Sequence, residues 1–189
     1  MFYWCVKAQI KFLTTLPGSR RAQNIDMTLK YFKLSEFDGK NEKGERISGT
    51  GGNMRASTLV KCDALRELYG KPLVVASGIR TPERNAQVGG VKNSSHLLGY
   101  AVDWKNIAPQ PSEWDTELIA FLDAAWDAGF RRFGIMETGI HTDDDPTKPS
   151  PSIWDYPATT PRSRWNTAKI WFAKKLKEQW KNQTQKPTG

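Results

Sequence analysis

Histidine and cysteine are the scarcest reactive residues in this chain, with two of each among 189 residues. Cys5 and Cys62 lie far apart, and neither has a Cys-x-x-Cys partner or a histidine beside it in sequence. That count excludes a mini-domain stapled by several disulfides, leaves one Cys5–Cys62 bond open, and makes buried or incidental thiols the ordinary reading. No stretch approaches the ~20 consecutive apolar residues of a membrane-spanning helix. The opening MFYWCVKAQIKFLTTL is aromatic, but Lys7, Gln9 and Lys11 interrupt it, so it makes a poor signal peptide. Residues 1–26 therefore read as a leader, amphipathic or disordered, with Met27 as a second conventional start. No internal repeat occurs. Acidic residues are in deficit, 20 against 28 basic ones, for a formal charge of +8. The excess attracts an anionic partner such as nucleic acid, a membrane surface or an acidic wall polymer, and much of it sits in Lys169 to Lys186. The acidic run Asp143-Asp144-Asp145 lacks the spacing of a calcium loop and reads as solvated.

A hydrophobic fraction of 38% and a charged fraction of 25% suit one globular domain. We place it at 27–160, with a basic, aromatic helix and tail at 161–189. Along the chain, 31–40 reads as an extended segment followed by a loop, and the glycine-rich 41–53 as a flexible surface loop. Apolar spacing predicts a helix from Asn53, its N-cap, to Leu68, with Gly70 as the stop. LVVAS (73–77) reads as a buried strand, 81–90 as a Pro-initiated helical turn, and 100–104 as a strand with Asp103 facing away from its bulky neighbours. A helix follows from Pro111 to Gly129, with Ser112 as N-cap and Leu118, Phe121, Leu122 and Ala125 inward. Residues 130–143 form a hairpin, 143–151 a loop, and Arg162 to Trp180 a helix whose tryptophans pack on the domain, leaving the end frayed.

The stretch SGIRTPERNAQVGGVKNSSHLLGYAVD (77–103) concentrates polar and conformationally special residues. His96 and Asp103 are seven residues apart, with Gly99 between them to permit a tight turn, and the second histidine, His141, follows in GIHTD. Two imidazoles and a carboxylate are three ligands, which suits a catalytic zinc with its fourth position left to water. The same count fits a non-heme iron triad, and His141-Thr142-Asp143 supplies its H-x-D, but that pattern needs a later histidine and none follows residue 141.

These motifs resemble the M15 peptidases, the zinc D-Ala-D-Ala carboxypeptidase group, over about residues 29–156. The resemblance implies an α+β domain with a central antiparallel sheet flanked by helices, similar to the Hedgehog signalling domain. It implies one Zn²⁺ ion on His96, Asp103 and His141, and a peptidoglycan stem peptide as substrate, cut beside a D-amino acid by a carboxypeptidase, endopeptidase or bacteriophage endolysin. Arg80 matches the arginine that stabilises the carbonyl or oxyanion, and Ser94 matches a serine near substrate, with loop capping as its competing role. For the general base, Glu137 is preferred because 137, 139 and 141 share a face of a regular strand. Asp143 is the other candidate. The enzyme would act on the cell wall as a monomer, without a specific nucleic-acid partner or a membrane span. A competing reading is an inert zinc-containing wall-binding module, and charge alone supports a nucleic-acid-binding protein.

Overall fold

A computed structural model describes residues 28–156 and 158–184. The expected leader at 1–26, including Cys5, lies outside the described residues. Five short strands, β1 (Val75–Ser77), β2 (Ala101–Trp104), β3 (Arg132–Ile135), β4 (Ile140–Asp143) and β5 (Ser152–Asp155), form one sheet in the order β1-β2-β4-β3-β5. Four helices accompany it: α1 (Ala56–Tyr69), α2 (Pro82–Gln87), α3 (Ile119–Asp127) and α4 (Arg162–Thr184). The domain is α+β, but the sheet is mixed. The first three pairings are antiparallel, whereas β3 and β5 run parallel, with Gly134 opposite Trp154. The resemblance implied an antiparallel sheet, and the β3–β5 pairing corrects it. The loop after Asp143 instead returns the chain to the outer edge of β3, in the same direction as β3.

Local chemistry explains the other departures. Residues 34–37 form a 3-10 turn rather than an extended segment, since the Glu36 side chain accepts from the Lys33 amide at 2.8 Å. The glycine-rich 41–53 is ordered by a Lys40–Arg46 bridge, and buried Asp38 accepts from Gly51 N at 2.7 Å. Helix α1 starts at Ala56 with Arg55 rather than Asn53 as N-cap, and it ends at Gly70. The Pro111 helix begins irregularly. A 3-10 turn, capped by Gln110 rather than Ser112, and a π turn at Trp114–Leu118 precede α3.

Leu118, Phe121, Leu122 and Ala125 are completely buried, as their spacing implied. They join Leu59, Leu65, Trp104, Phe130, Phe133 and Ile135 in one core beneath the sheet. Full burial of each large apolar side chain contributes about 1.5–3 kcal/mol. Cys62 lies inside this core with no disulfide partner among the described residues, and burial pushes its pKa well up.

Helix α4 packs on the domain through Trp171 and Phe172, which meet Trp126 and Phe133, while Trp180 and Ile170 on its other side face solvent. Its Arg164 is completely buried and donates to the carbonyls of Met136, Gly139, Ile107 and Ala108. Burial pushes this guanidinium down to about 10, so it stays charged at neutral pH. Four carbonyl acceptors compensate for its lost hydration.

Candidate metal centre

Period-2 geometry and register build the site. Asp103 on β2 lies directly opposite His141 on β4, so their side chains share a face of the sheet. His96 arrives from a 3-10 turn, Ser95–Leu98, that stops at Gly99. Gly99 has φ +77°, and a Cβ there would lie 2.5 Å from the carbonyl oxygen of Asn53. Only glycine meets both demands without strain.

The three side chains converge: His96 Nε2 lies 3.2 Å from Asp103 Oδ1 and 3.2 Å from His141 Nδ1, and the last two atoms are 2.8 Å apart. A tetrahedral zinc with bonds of ~2.0–2.1 Å has its ligand atoms about 3.3 Å apart. The triangle therefore matches one face of such a tetrahedron. All three residues are buried.

The outward nitrogens decide which atoms face inward. His96 Nδ1 lies 2.7 Å from the Gly78 carbonyl, to which it can only donate, so its Nε2 presents a lone pair. His141 Nε2 lies 3.1 Å from Asp143 Oδ2 and donates to it, which leaves Nδ1 as the acceptor. With both imidazoles neutral, two lone pairs and a carboxylate oxygen confront one another with no proton between them. Such a cluster calls for a cation. Burial alone would depress both histidines. It does so for His96, but hydrogen bonds with Asp103 and Asp143 raise His141 above its ordinary value. Burial would also raise Asp103, yet the two imidazoles beside it, which can take a proton in place of a cation, hold its carboxyl well below the usual range. The donor set, its spacing and its unmet demand for positive charge all fit a divalent metal.

The other expected site residues fall as follows. Arg80 donates through Nη2 to Asp103 Oδ2 and through Nε to Ser77 Oγ at 3.0 Å. Its remaining N–H groups border the cleft. Ser94 also lines the cleft, and it caps the His96 turn, its Oγ accepting from His96 N at 3.4 Å. Glu137 sits in the exposed turn between β3 and β4, lines the cleft, and makes no side-chain hydrogen bond among the described residues. Asp143 is engaged behind the site, its Oδ1 accepting from Arg132 Nε at 2.8 Å and its Oδ2 from His141. The carboxylates are thus divided, one outside the triad and one at its back.

Sequence reasoning missed Trp154 and Tyr156, which β5 brings to the cleft. The Trp154 ring lies 5.3 Å from that of His141, with the Arg132 guanidinium 5.2 Å from the indole. Its approach depends on Gly134, where a Cβ would stand 2.8 Å from the indole Nε1. The aromatic alternation of SIWDY was the available signal. The whole cleft encloses about 900 Å³, the upper end of what small-molecule sites offer.

The peptidase M15 family model matches residues 30–143. A zinc D-Ala-D-Ala carboxypeptidase of Streptomyces albus G is 36% identical over 87 residues, 43% of this chain and 33% of that protein. The chain thus spans about a third of that relative's length.

Proposed function

Since this chain belongs to the M15 peptidase family, we propose that it is a zinc-dependent hydrolase of peptidoglycan, cutting a peptide bond next to a D-amino acid. The observation that carries the reading is the convergence of His96 Nε2, Asp103 Oδ1 and His141 Nδ1 on one point, each with its other side satisfied, inside a peptide-sized cleft. Zinc held by these atoms supplies Lewis acidity toward a carbonyl oxygen and toward water.

The chain's own residues do the rest. Arg80, fixed by Asp103 and Ser77, directs its free N–H groups at the oxygen that gains negative charge as the carbonyl becomes tetrahedral. Glu137, free of internal partners, takes a proton from the attacking water and returns it to the leaving amine nitrogen. Asp143 is a positioning residue, since both of its oxygens are already occupied. Trp154 covers the flank of His141 and keeps bulk water from it. Membership of the Hedgehog-like fold group and action at the cell wall, as a phage endolysin or a bacterial remodelling enzyme, belong to the same proposal.

The test is mass spectrometry of muropeptides after incubating zinc-loaded protein with purified wall. Products ending after D-Ala or after L-Ala identify the bond. Stoichiometric zinc with no new terminus would overturn the hydrolase and favour an inert wall-binding module.

A further inference from the structure

Beside the metal triad, Lys105 lines the cleft, and three further cations, Lys40, Arg46 and Arg84, lie near one another behind it. Lys40 and Arg46 face each other across an isolated β-bridge, which places their side chains together. Lys40 Nζ reaches over the β1 edge to the carbonyl of Ala76 at 3.3 Å, and Ala76 lines the cleft. Helix α2 is tied to the same hairpin, Gln87 Nε2 donating to Glu42 O at 2.9 Å, and this brings Arg84 alongside. Lys105 closes the group: its backbone extends the β1–β2 ladder through a 2.9 Å bond to Val74 O, and it is exposed and lines the cleft.

None of these four forms an ion pair among the described residues, whereas Arg80, Arg132 and Lys148, which also line the cleft, each have an aspartate. Glu45, the neighbour of Arg46, is turned to Asn41 Nδ2 at 2.8 Å. Burial, then the charges of Lys105, Arg46 and Arg84, hold the Lys40 ammonium below its ordinary value. Arg46 donates through Nη1 to the carbonyls of Ser35 and Glu36 at 2.9 Å and Arg84 to Gln87, all neutral acceptors, so like charges are held beside the cleft without a protein counter-ion.

We propose that Lys40 and Lys105, backed by Arg46 and Arg84, form a subsite for a carboxylate of the bound peptide. Strand geometry gives its distance from the cut. Lys105 follows Asp103 by two residues, one position past the end of β2 and about 7 Å along the chain, and both line the cleft. A substrate lying extended along β2 advances at the same rate per residue, so its carboxylate belongs about two residues from the scissile bond. This rests on the peptidase reading for the word scissile, but the subsite binds with or without turnover.

The experiment titrates metal-free protein with two synthetic peptides that share a D-Ala-containing sequence and differ only at one position, two residues from D-Ala, carrying a side-chain carboxylate or its carboxamide. Calorimetry should give the carboxylate form about tenfold tighter binding, and Lys40→Gln with Lys105→Gln should remove the difference without weakening the carboxamide form. Lys105→Glu should reverse the preference. Equal binding of the two peptides by the native protein, or no binding of either, overturns the subsite. Preferential binding without hydrolysis by the zinc-loaded protein would instead sink the peptidase reading and leave the subsite standing.

Discussion

In the proposed reaction Asp143 and Glu137 take different tasks, one orienting His141 and the other moving a proton. Sequence spacing could not separate them, because both flank His141. Their partners differ, Asp143 being bonded to Arg132 and His141 and Glu137 to no side-chain partner among the described residues, and this difference supports the proposed division. Asp143→Ala should weaken zinc affinity about 10–100-fold, measured by competition with a chromophoric chelator, since His141 loses the acceptor that fixes its tautomer. An unchanged affinity would remove Asp143 from the site. Glu137→Gln should keep that affinity and lower kcat by about 10²–10⁴-fold. Near-normal turnover would mean that another group handles the proton. The three proposed ligands were legible because the chain has only two histidines and because the His-x6-Asp and GIHTD motifs resemble those of the M15 peptidases. The Gly78 carbonyl behind His96 was not, because a backbone atom carries no signature.

Among the elements, β5 was the least legible. It is four residues long, follows a proline-rich loop, and pairs parallel with β3, a contact that no local pattern announces. The π turn before α3 was hidden for a related reason: its apolar residues are spaced as in a helix, and only the hydrogen-bond pattern differs. By contrast, α1, the β3–β4 hairpin and α3 were readable because each is amphipathic or closed by a local turn. The β3–β5 seam is tight at Gly134. Gly134→Ala should cost about 1–3 kcal/mol in denaturant unfolding, as the new methyl displaces the Trp154 indole. A variant as stable as the native protein, with unaltered tryptophan emission, would show that the seam yields freely.

For the molecule as a whole, metal and fold are linked. Three buried acceptors that repel one another destabilise the metal-free domain, and a cation relieves them. Free zinc at 100 times its dissociation constant should raise unfolding free energy by about 2.7 kcal/mol, seen as a higher melting midpoint that a chelator reverses. Coincident midpoints with and without zinc would argue against the centre. The +8 charge, once open to any anionic partner, resolves in part into the cluster at the cleft and the outer side of α4. No described helix is long and apolar enough to cross a membrane.

Arg164 gives the order of synthesis a meaning. The turn holding Glu137 leaves the ribosome before the guanidinium that gathers its Met136 and Gly139 carbonyls. Until α4 emerges and docks, that turn is held by the Ile107 amide on the Thr138 carbonyl at 2.9 Å and lacks the guanidinium's bonds. A nascent chain halted short of α4 would carry every proposed ligand and still present the proposed base on a turn that lacks this clamp.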